Sequence, residues 1–247
     1  MQGIPPSVVS SDAQAKPESG RRGMGNRLAL LVSAVSLLLP WPMRRWLLNT
    51  LCGYSIAPDA RIGMTLIGCP SLRMSRGARI GHFNILKSVS VELGECASIR
   101  DFNWISGVPS GHPRHFLEER ERQPALVLDR HAALTSRHFI DCCDLVHIEE
   151  FATVAGVRSQ ILTHAIDFKR NRQATAPVRI GRYCFVGTGC VLLKGSRLPD
   201  YSILAANSSL SRGFDAPFSL YSGVPATQVR SLDRDWLYFH RQQGFVE

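Results

Sequence analysis

The fold is indicated by residues 180–210, which read IGRYCFVGTGCVLLKGSRLPDYSILAANSSL. An aliphatic residue stands at every sixth position, namely Ile180, Val186, Leu192, Leu198, Leu204 and Leu210. A cysteine or serine stands four positions after each of the first five. A period of six scatters around an α-helix of about 3.6 residues per turn, but it returns to one face of an extended chain. The stretch therefore predicts β-strands.

The same period recurs upstream and predicts a solenoid. Further runs begin at Ile56, Leu93, Leu128 and Ile148, with a slip at Gly68. Strands rarely exceed about 10 residues, so the chain must turn between short strands. Flat strands joined by tight corners make a prism of parallel strands, and we predict such a mainly β solenoid over residues 56–230.

The period fails at residues 106–127 and 163–178, and we predict a loop at each place. The first loop contains prolines, glycines and a charged run that ends at Arg122. Loops carried on a rigid scaffold often hold functional residues, so a site is expected at one or both of them.

The segments that flank the solenoid are predicted to cover its open ends. Residues 24–55 are apolar and predict a short helical segment, and residues 231–247 predict a C-terminal helix. Residues 1–23 are rich in Pro, Ser, Gly and Ala, which predicts a disordered tail. Met24 is a second candidate start of the chain.

The apolar N-terminal segment admits two interpretations. Its uncharged run is shorter than the roughly 20 residues that a spanning helix needs, and no small-residue cleavage site follows it. It predicts either a helix packed on the main domain or a helix lying peripherally on the inner membrane face. Trp41, Arg44, Arg45 and Trp46 are residue types that favour the headgroup level of a bilayer.

Composition bounds the compartment and the partners. The chain has 247 residues, a formal net charge of +9 and seven cysteines. The cysteines form no CxxC pair and no spacing typical of a zinc site, which favours free thiols in a reducing, cytoplasmic compartment. For the adjacent Cys142 and Cys143, we predict that one side chain faces the core and the other faces outward. The charge is nearly all arginine, which fits either phosphate binding or a GC-rich genome. No basic block has interleaved aromatic residues, so nucleic acid is not a predicted partner.

Paired residues in the repeat resemble the motif of the hexapeptide-repeat acyltransferases. They are Ile180-Gly181, Val186-Gly187 and Leu204-Ala205. Residues 222–230, SGVPATQVR, are similar to that family's Gly-x-Pro-Ala-x-x-(Ile/Val)-(Arg/Lys) ending. The chain resembles most the sugar O-acetyltransferases, with the maltose and galactoside acetyltransferases, and the exopolysaccharide acetyltransferases that carry an apolar N-terminal extension. The resemblance implies a left-handed parallel β-helix and a homotrimer with active sites between neighbouring prisms.

The resemblance also identifies His164, which opens the second loop, as the catalytic base. An imidazole titrates near neutral pH, so it can take the proton of a hydroxyl that attacks a thioester. Asp167 is a second catalytic candidate, which either orients the imidazole or contacts the acceptor. Relatives often place an asparagine about one coil before the histidine. This chain has none there, so Asp141 and His138 are the candidates for binding the acceptor.

The donor that the resemblance implies is acetyl-CoA, with no metal and no covalent enzyme intermediate expected. Small residues let its pantetheine arm approach the backbone, and arginine suits its phosphates. The matching positions are Phe185, Gly187, Thr188, Ala205, Ala206, Ser211, Arg212 and Arg230. The implied reaction is transfer of an acetyl group to a hydroxyl of a sugar or polysaccharide precursor, and the sequence leaves the acceptor and the acyl length open.

Two other functions fit the same fold. The γ-carbonic anhydrases bind zinc with three histidines at subunit boundaries, but no histidine accompanies His164 at a ligand spacing. A non-catalytic scaffold is the second alternative, and the intact Thr163-His164 pair and the Gly-x-Pro-Ala ending argue against it.

Overall fold

The computed structural model describes residues 26–244 and 246. The predicted disordered tail, residues 1–23, and the candidate start Met24 lie outside these residues. The described chain begins with two helices, α1 (Asn26–Ser36) and α2 (Trp41–Leu51). Neither these helices nor any other within the described ranges is long and apolar enough to cross a bilayer.

Short strands follow, three to each turn of the chain. The first four turns, or coils, hold β1 (Ser55–Ile56), β2 (Arg61–Ile62), β3 (Leu66–Gly68), β4 (Leu72–Met74), β5 (Arg79–Ile80), β6 (Ile85–Lys87), β7 (Ser90–Leu93), β8 (Ser98–Ile99), β9 (Trp104–Ser106), β10 (Ala125–Leu128), β11 (Ala133–Leu134) and β12 (Phe139–Asp141). The fifth coil and the β-hairpin that follows it hold β13 (Val146–Ile148), β14 (Thr153–Val154), β15 (Gln160–Leu162), β16 (His164–Asp167) and β17 (Arg172–Thr175). The last coils and a final antiparallel pair hold β18 (Val178–Ile180), β19 (Phe185–Val186), β20 (Val191–Leu192), β21 (Arg197–Leu198), β22 (Ile203–Leu204), β23 (Ser209–Leu210), β24 (Ser219–Gly223) and β25 (Ala226–Ser231).

The strands stack into three parallel sheets that form the faces of a prism. We name them face A, face B and face C, for the first, second and third strand of each coil. Each strand pairs with the strand at the same position in the next coil. Arg179 pairs with Arg197 and Phe185 with Ile203, so three hexapeptides make one coil here. The prediction of a mainly β fold built from parallel strands is confirmed.

The aliphatic residues of the repeat fill the prism. The six that define the period, from Ile180 to Leu210, are fully buried. Such burial contributes about 1.5–3 kcal/mol for each side chain and is the main stabilising term of the solenoid. Upstream the period drifts by one residue: Ile67 faces inward near the slip at Gly68, and Ile161 does so in place of the exposed Gln160.

Side chains of α1 and α2 pair with the first coil, which has no earlier coil to bond. The buried Arg44 guanidinium donates to the carbonyl oxygens of Ile62, Gly63 and Thr65. Ser33 Oγ accepts from the backbone N–H of Ile67 at 3.0 Å. An exposed sheet edge invites pairing with another chain, and the two helices satisfy this one instead.

The C-terminal segment differs from its prediction. Residue 231 ends β25, and a single 3₁₀ turn, Leu237–His240, replaces the helix predicted over residues 231–247. The segment does not close the end of the prism but runs back along the A–B corner, where Arg241 stacks on Tyr238 (4.0 Å) and Tyr183 (5.3 Å). Aromatic side chains line that corner as a ladder of stacked rings, and packing on them outweighs the local helix preference.

Both interruptions of the period leave the prism at the same corner, between face C and face A. The first lies between β9 and β10 and the second between β15 and β18. The second is not an irregular loop throughout, because His164–Asp167 and Arg172–Thr175 pair as an antiparallel β-hairpin. One side of the solenoid thus carries both added segments.

Candidate functional site

The two added segments contact each other across the C–A corner. His115 Nδ1 lies 3.0 Å from Gln173 Oε1, and Arg172 forms an ion pair with Glu118. The ring of Phe116, which is buried, meets the ring of His164 edge to face at 5.8 Å. His164 therefore opens the β-hairpin directly beside the first loop, and its side chain is 39% exposed.

Asp141, which was predicted to bind the acceptor, instead contacts His164 and fixes the orientation of its ring. His164 Nδ1 lies 2.6 Å from Asp141 Oδ2, and Asp141 itself is buried at the end of β12, one coil earlier. The same carboxylate accepts the backbone N–H of Thr163 at 3.0 Å and that of Cys143 at 3.2 Å. A carboxylate held in this way accepts a hydrogen bond from the Nδ1–H group. The imidazole therefore keeps its proton on Nδ1 and its free lone pair on Nε2.

The pair shifts the pKa of both partners. The hydrogen bond with Asp141 raises the pKa of His164 above its ordinary value, against the opposing effect of burial. Burial alone would raise the pKa of Asp141, but the hydrogen bonds from His164, Cys143 and Thr163 outweigh it and hold that pKa below its usual range. The arrangement favours an imidazole that accepts a proton at Nε2 and shares the resulting charge with a buried carboxylate.

Arg122 anchors the first loop beside this pair. Its guanidinium is buried and donates to the carbonyl oxygens of Val108 and Pro109, at 2.5 Å each, and of Cys143 at 3.0 Å. It also lies over the Phe116 ring at 4.6 Å. The end of the charged run is therefore a structural clamp that joins both ends of the loop to the corner beneath His164.

Two other predicted site residues have different contacts from those expected. Of the two roles predicted for Asp167, Asp141 takes the first, the orientation of the imidazole. Asp167 Oδ1 instead accepts the backbone N–H groups of Lys169 and Arg170 and so caps the turn of the β-hairpin, and its contact with the acceptor stays a prediction. His138 is 2% exposed, and its Nδ1 accepts the Ser159 N–H at 3.1 Å while Nε2 bonds Thr135 Oγ1 at 2.9 Å. Burial lowers the pKa of His138 to about 4, so it stays neutral inside the prism and offers no ring nitrogen to an acceptor.

The thiols beside the site are also more enclosed than predicted. Cys142 and Cys143 are both buried, although one was expected to face outward. The first loop covers this corner, and the clamp of Arg122 on the Cys143 carbonyl holds it there. Burial, reinforced by the Asp141 carboxylate, raises the pKa of Cys143 to about 12, so this thiol is a poor nucleophile at neutral pH.

The small residues expected to line a pantetheine arm lie at or beside a different corner. Gly187 and Thr188 follow β19, and Ala205 and Ala206 follow β22, at the B–C corner. A Cβ on Gly187 would stand 2.6 Å from the Ala206 backbone nitrogen, so close packing of adjacent coils requires this glycine. Face C separates these residues from His164 within one chain.

The remaining candidates lie near the last coils. Phe185 is on face B, with its ring edge to face against Tyr238 at 6.1 Å. Ser211, Arg212 and Arg230 are exposed, and the two guanidinium groups lie over the rings of Phe214 (5.0 Å) and Trp236 (5.8 Å). Both arginines are therefore held near aromatic surfaces while their donors stay accessible to an anion.

The same cluster contains the residue types of a metal site. Asp141, Cys143 and His164 offer ligand atoms that lie within 4.8 Å of one another. Two ligands of one tetrahedral zinc, with bonds of about 2.0–2.1 Å, stand more than 3 Å apart, whereas Asp141 Oδ2 and His164 Nδ1 are separated by 2.6 Å. The geometry is that of a hydrogen bond and does not fit a shared ion.

Comparison with known proteins relates the fold to solved structures alone. No protein-family model and no curated protein sequence matches this chain. A mutant of AntD, an N-acyltransferase from Bacillus cereus solved with dTDP-4-amino-4,6-dideoxyglucose and coenzyme A, is 14% identical and has a TM-score of 0.50, with 75% of this chain and 88% of that chain covered. A hexapeptide-repeat acetyltransferase from Vibrio cholerae, solved with acetyl-coenzyme A, is 16% identical and has a TM-score of 0.43, with 84% and 88% covered.

Proposed function

We propose that this protein is an acyltransferase that moves an acetyl group from acetyl-CoA to a hydroxyl of a sugar or polysaccharide precursor, on a left-handed parallel β-helix. The observation that carries the proposal is the His164–Asp141 pair, at the corner where two segments leave the solenoid and contact each other. The ending at residues 222–230 and the hexapeptide period, both family motifs, support it.

The proposed mechanism is direct transfer. The acceptor hydroxyl hydrogen-bonds to His164 Nε2, and its proton passes to that nitrogen as its oxygen attacks the thioester carbonyl carbon. Asp141 stabilises the imidazolium that forms. The tetrahedral intermediate then expels the CoA sulfur, which takes the proton back from Nε2. The raised pKa of Cys143 supports a route without a thiol intermediate.

The donor and the acceptor class have support from the similar fold. The AntD structure holds coenzyme A and an amino sugar nucleotide, and it supports a CoA thioester donor and a sugar acceptor here. AntD is an N-acyltransferase, so an amino group is the second candidate acceptor. A panel of sugars that carry either a hydroxyl or an amine at the same carbon distinguishes the two, because only one product resists mild alkaline hydrolysis.

Titration calorimetry of the purified protein with acetyl-CoA tests the donor. We expect saturable binding, weakened about tenfold by Arg212→Ala or Arg230→Ala, because each removes a charged donor at the proposed nucleotide site. Arg61→Ala is the matched control, because it removes another exposed arginine that also lies over an aromatic ring, that of Trp41, at the other end of the solenoid. Stoichiometric zinc binding without CoA binding would favour the carbonic-anhydrase alternative, and binding of neither would favour the scaffold.

The proposal includes a homotrimer. His164 lies at the C–A corner, whereas the small residues Gly187 and Ala205 lie at the B–C corner. Within one chain, His164 and these small residues therefore cannot contact the same thioester. A neighbouring prism that sets its B–C corner against His164 would complete the site. Light scattering should give the mass of three chains, and the mass of a single chain at working concentration would contradict this part. A cytoplasmic location, peripheral to the inner membrane, belongs to the same proposal.

A further inference from the structure

The two N-terminal helices have an inverted pattern of burial. The face of α1 that packs on the solenoid carries small residues, Ala29, Ser33 and Ser36, all essentially inaccessible. The opposite face carries large aliphatic ones: Leu31 is 63% exposed and Val35 is 65% exposed. A surface helix of a soluble protein normally does the reverse, so this face is built for contact with an apolar partner.

The apolar surface continues onto α2. Met43 is 55% exposed and Trp46 is 64% exposed, and these two residues help to line an open, almost wholly apolar depression of about 410 Å³. We name the combined surface the helical face and define it by residues Leu28, Leu31, Val35, Leu38, Met43, Trp46 and Leu51, each half or more exposed.

The charged residues of α1 and α2 are all arginines. Between Glu18 and Asp59 the sequence has no acidic residue, whereas five arginines occur there: Arg21, Arg22, Arg27, Arg44 and Arg45. Arg44 is buried, Arg27 is exposed and Arg45 is half-buried. A second copy of the chain would set like charges against each other in a symmetric contact, whereas an anionic bilayer would complement them.

We infer that the helical face docks α1 and α2 in the plane of an anionic lipid bilayer. The apolar side chains enter the boundary between headgroups and acyl chains, with Arg27 and Arg45 among the phosphates and Trp46 at the same depth. This inference deepens the location given under the proposed function, and it rests on that part of the proposal and not on acyl transfer.

The helices are a fixed part of the solenoid and not a flexible anchor. Arg44 bonds three carbonyl oxygens of the first coil, and Asn49 pairs with both the N–H and the carbonyl of Ile56. Gly68 lets α1 approach closely, since a Cβ there would stand 2.4 Å from Leu30. Docking of the helical face therefore also sets the orientation of the prism, with its first coil nearest the lipid.

Sedimentation of the full chain with vesicles tests the inference. Vesicles of phosphatidylglycerol and phosphatidylethanolamine should bind the protein, while pure phosphatidylcholine should bind it more weakly and high salt should reduce the binding. The double variant L31E and V35E should reduce partitioning by about tenfold or more, because it places charge where aliphatic groups enter the bilayer. The matched control is L237E with V246E, which adds the same charge at two exposed positions of the C-terminal segment.

The result that would overturn the inference is a protein that stays in the supernatant with every vesicle, or a double variant that sediments like the unchanged chain. Loss of an assembly mass in the double variant, without vesicle binding by the parent, would assign the face to a second copy instead. Arg27→Gln leaves the apolar side chains intact, so it serves if the double variant fails to fold. It should weaken binding to anionic vesicles about fivefold and leave phosphatidylcholine binding unchanged.

Discussion

We expect His164→Ala to lower kcat by about 10²- to 10⁴-fold, the usual contribution of a positioned general base. The imidazole supplies the lone pair of Nε2, and no other histidine has both an exposed ring and a buried carboxylate partner among the residues that the structure describes. The affinity for acetyl-CoA should stay within about twofold, since the donor candidates lie at another corner. Steady-state kinetics together with titration calorimetry measure both quantities.

A second Asp–His pair on the solenoid provides the control. His147 Nε2 lies 2.9 Å from Asp129 Oδ2, and the Asp129 side chain, which follows β10, is 34% exposed. His147→Ala removes the same groups from the surface and should leave kcat unchanged. Equal losses in both variants would mean that the loss reflects folding and not proton transfer, and no loss in His164→Ala would remove the assignment of the base.

We expect Asp141→Asn to lower kcat by about 10²-fold or more, although it changes the volume of the side chain very little. The carboxylate accepts hydrogen bonds from His164 and Thr163 on one oxygen and from Cys143 on the other. An asparagine must turn its NH₂ group toward one of these donors. If the NH₂ group faces Cys143, two donors oppose each other. If it faces His164, it donates to Nδ1, and the imidazole then carries its proton on Nε2, where it cannot act as a base.

The pH profile separates this role from a purely structural one. The neutral imidazole is the active form, so activity rises with pH through the pKa of His164, which Asp141 raises above its ordinary value. In Asp141→Asn the contribution that raises the pKa is lost and burial, which lowers it, remains. The acidic limb of kcat/KM should therefore move to lower pH. Asp129→Asn, at the second pair, should leave the limb in place, and an unmoved limb in Asp141→Asn would contradict the pairing.

The solenoid and the place where His164, the proposed general base, leaves it are readable from sequence because both follow from a repeat. The six-residue spacing places Leu192, Leu198 and Leu204 inside the prism. It does so in any sequence context, because each coil contacts only the coils next to it. The end of the period before His164 marks a departure from the prism for the same reason. The C-terminal segment has no repeat, and its aromatic contacts with Tyr183 could not be inferred from local preference.

The partner of His164 was not predicted from the sequence, which favoured Asp167 for the orienting role and Asp141 for the binding of the acceptor. Asp167 is three residues after His164 in the chain, but its side chain caps the turn of a β-hairpin that the sequence pattern did not predict. Asp141 is one coil away, and its register neighbour is Leu162, two residues before His164. An alignment of coils would have favoured Asp141. No comparable signal exists for Arg122, since its clamp depends on how the first loop folds back.

The stacking of coils also sets the distance between His164 and the first coil. Neighbouring strands lie about 4.8 Å apart, and His164 follows the fifth coil, so it stands about 19 Å beyond the coil that carries α1 and α2. With those helices docked in a bilayer as inferred, the length of the prism fixes the distance between the lipid surface and His164. Under the proposed docking and the proposed role of His164, a lipid-linked acceptor has to extend about 19 Å from the first coil before it meets Nε2. The number of coils would then set how far from the lipid the modified sugar lies.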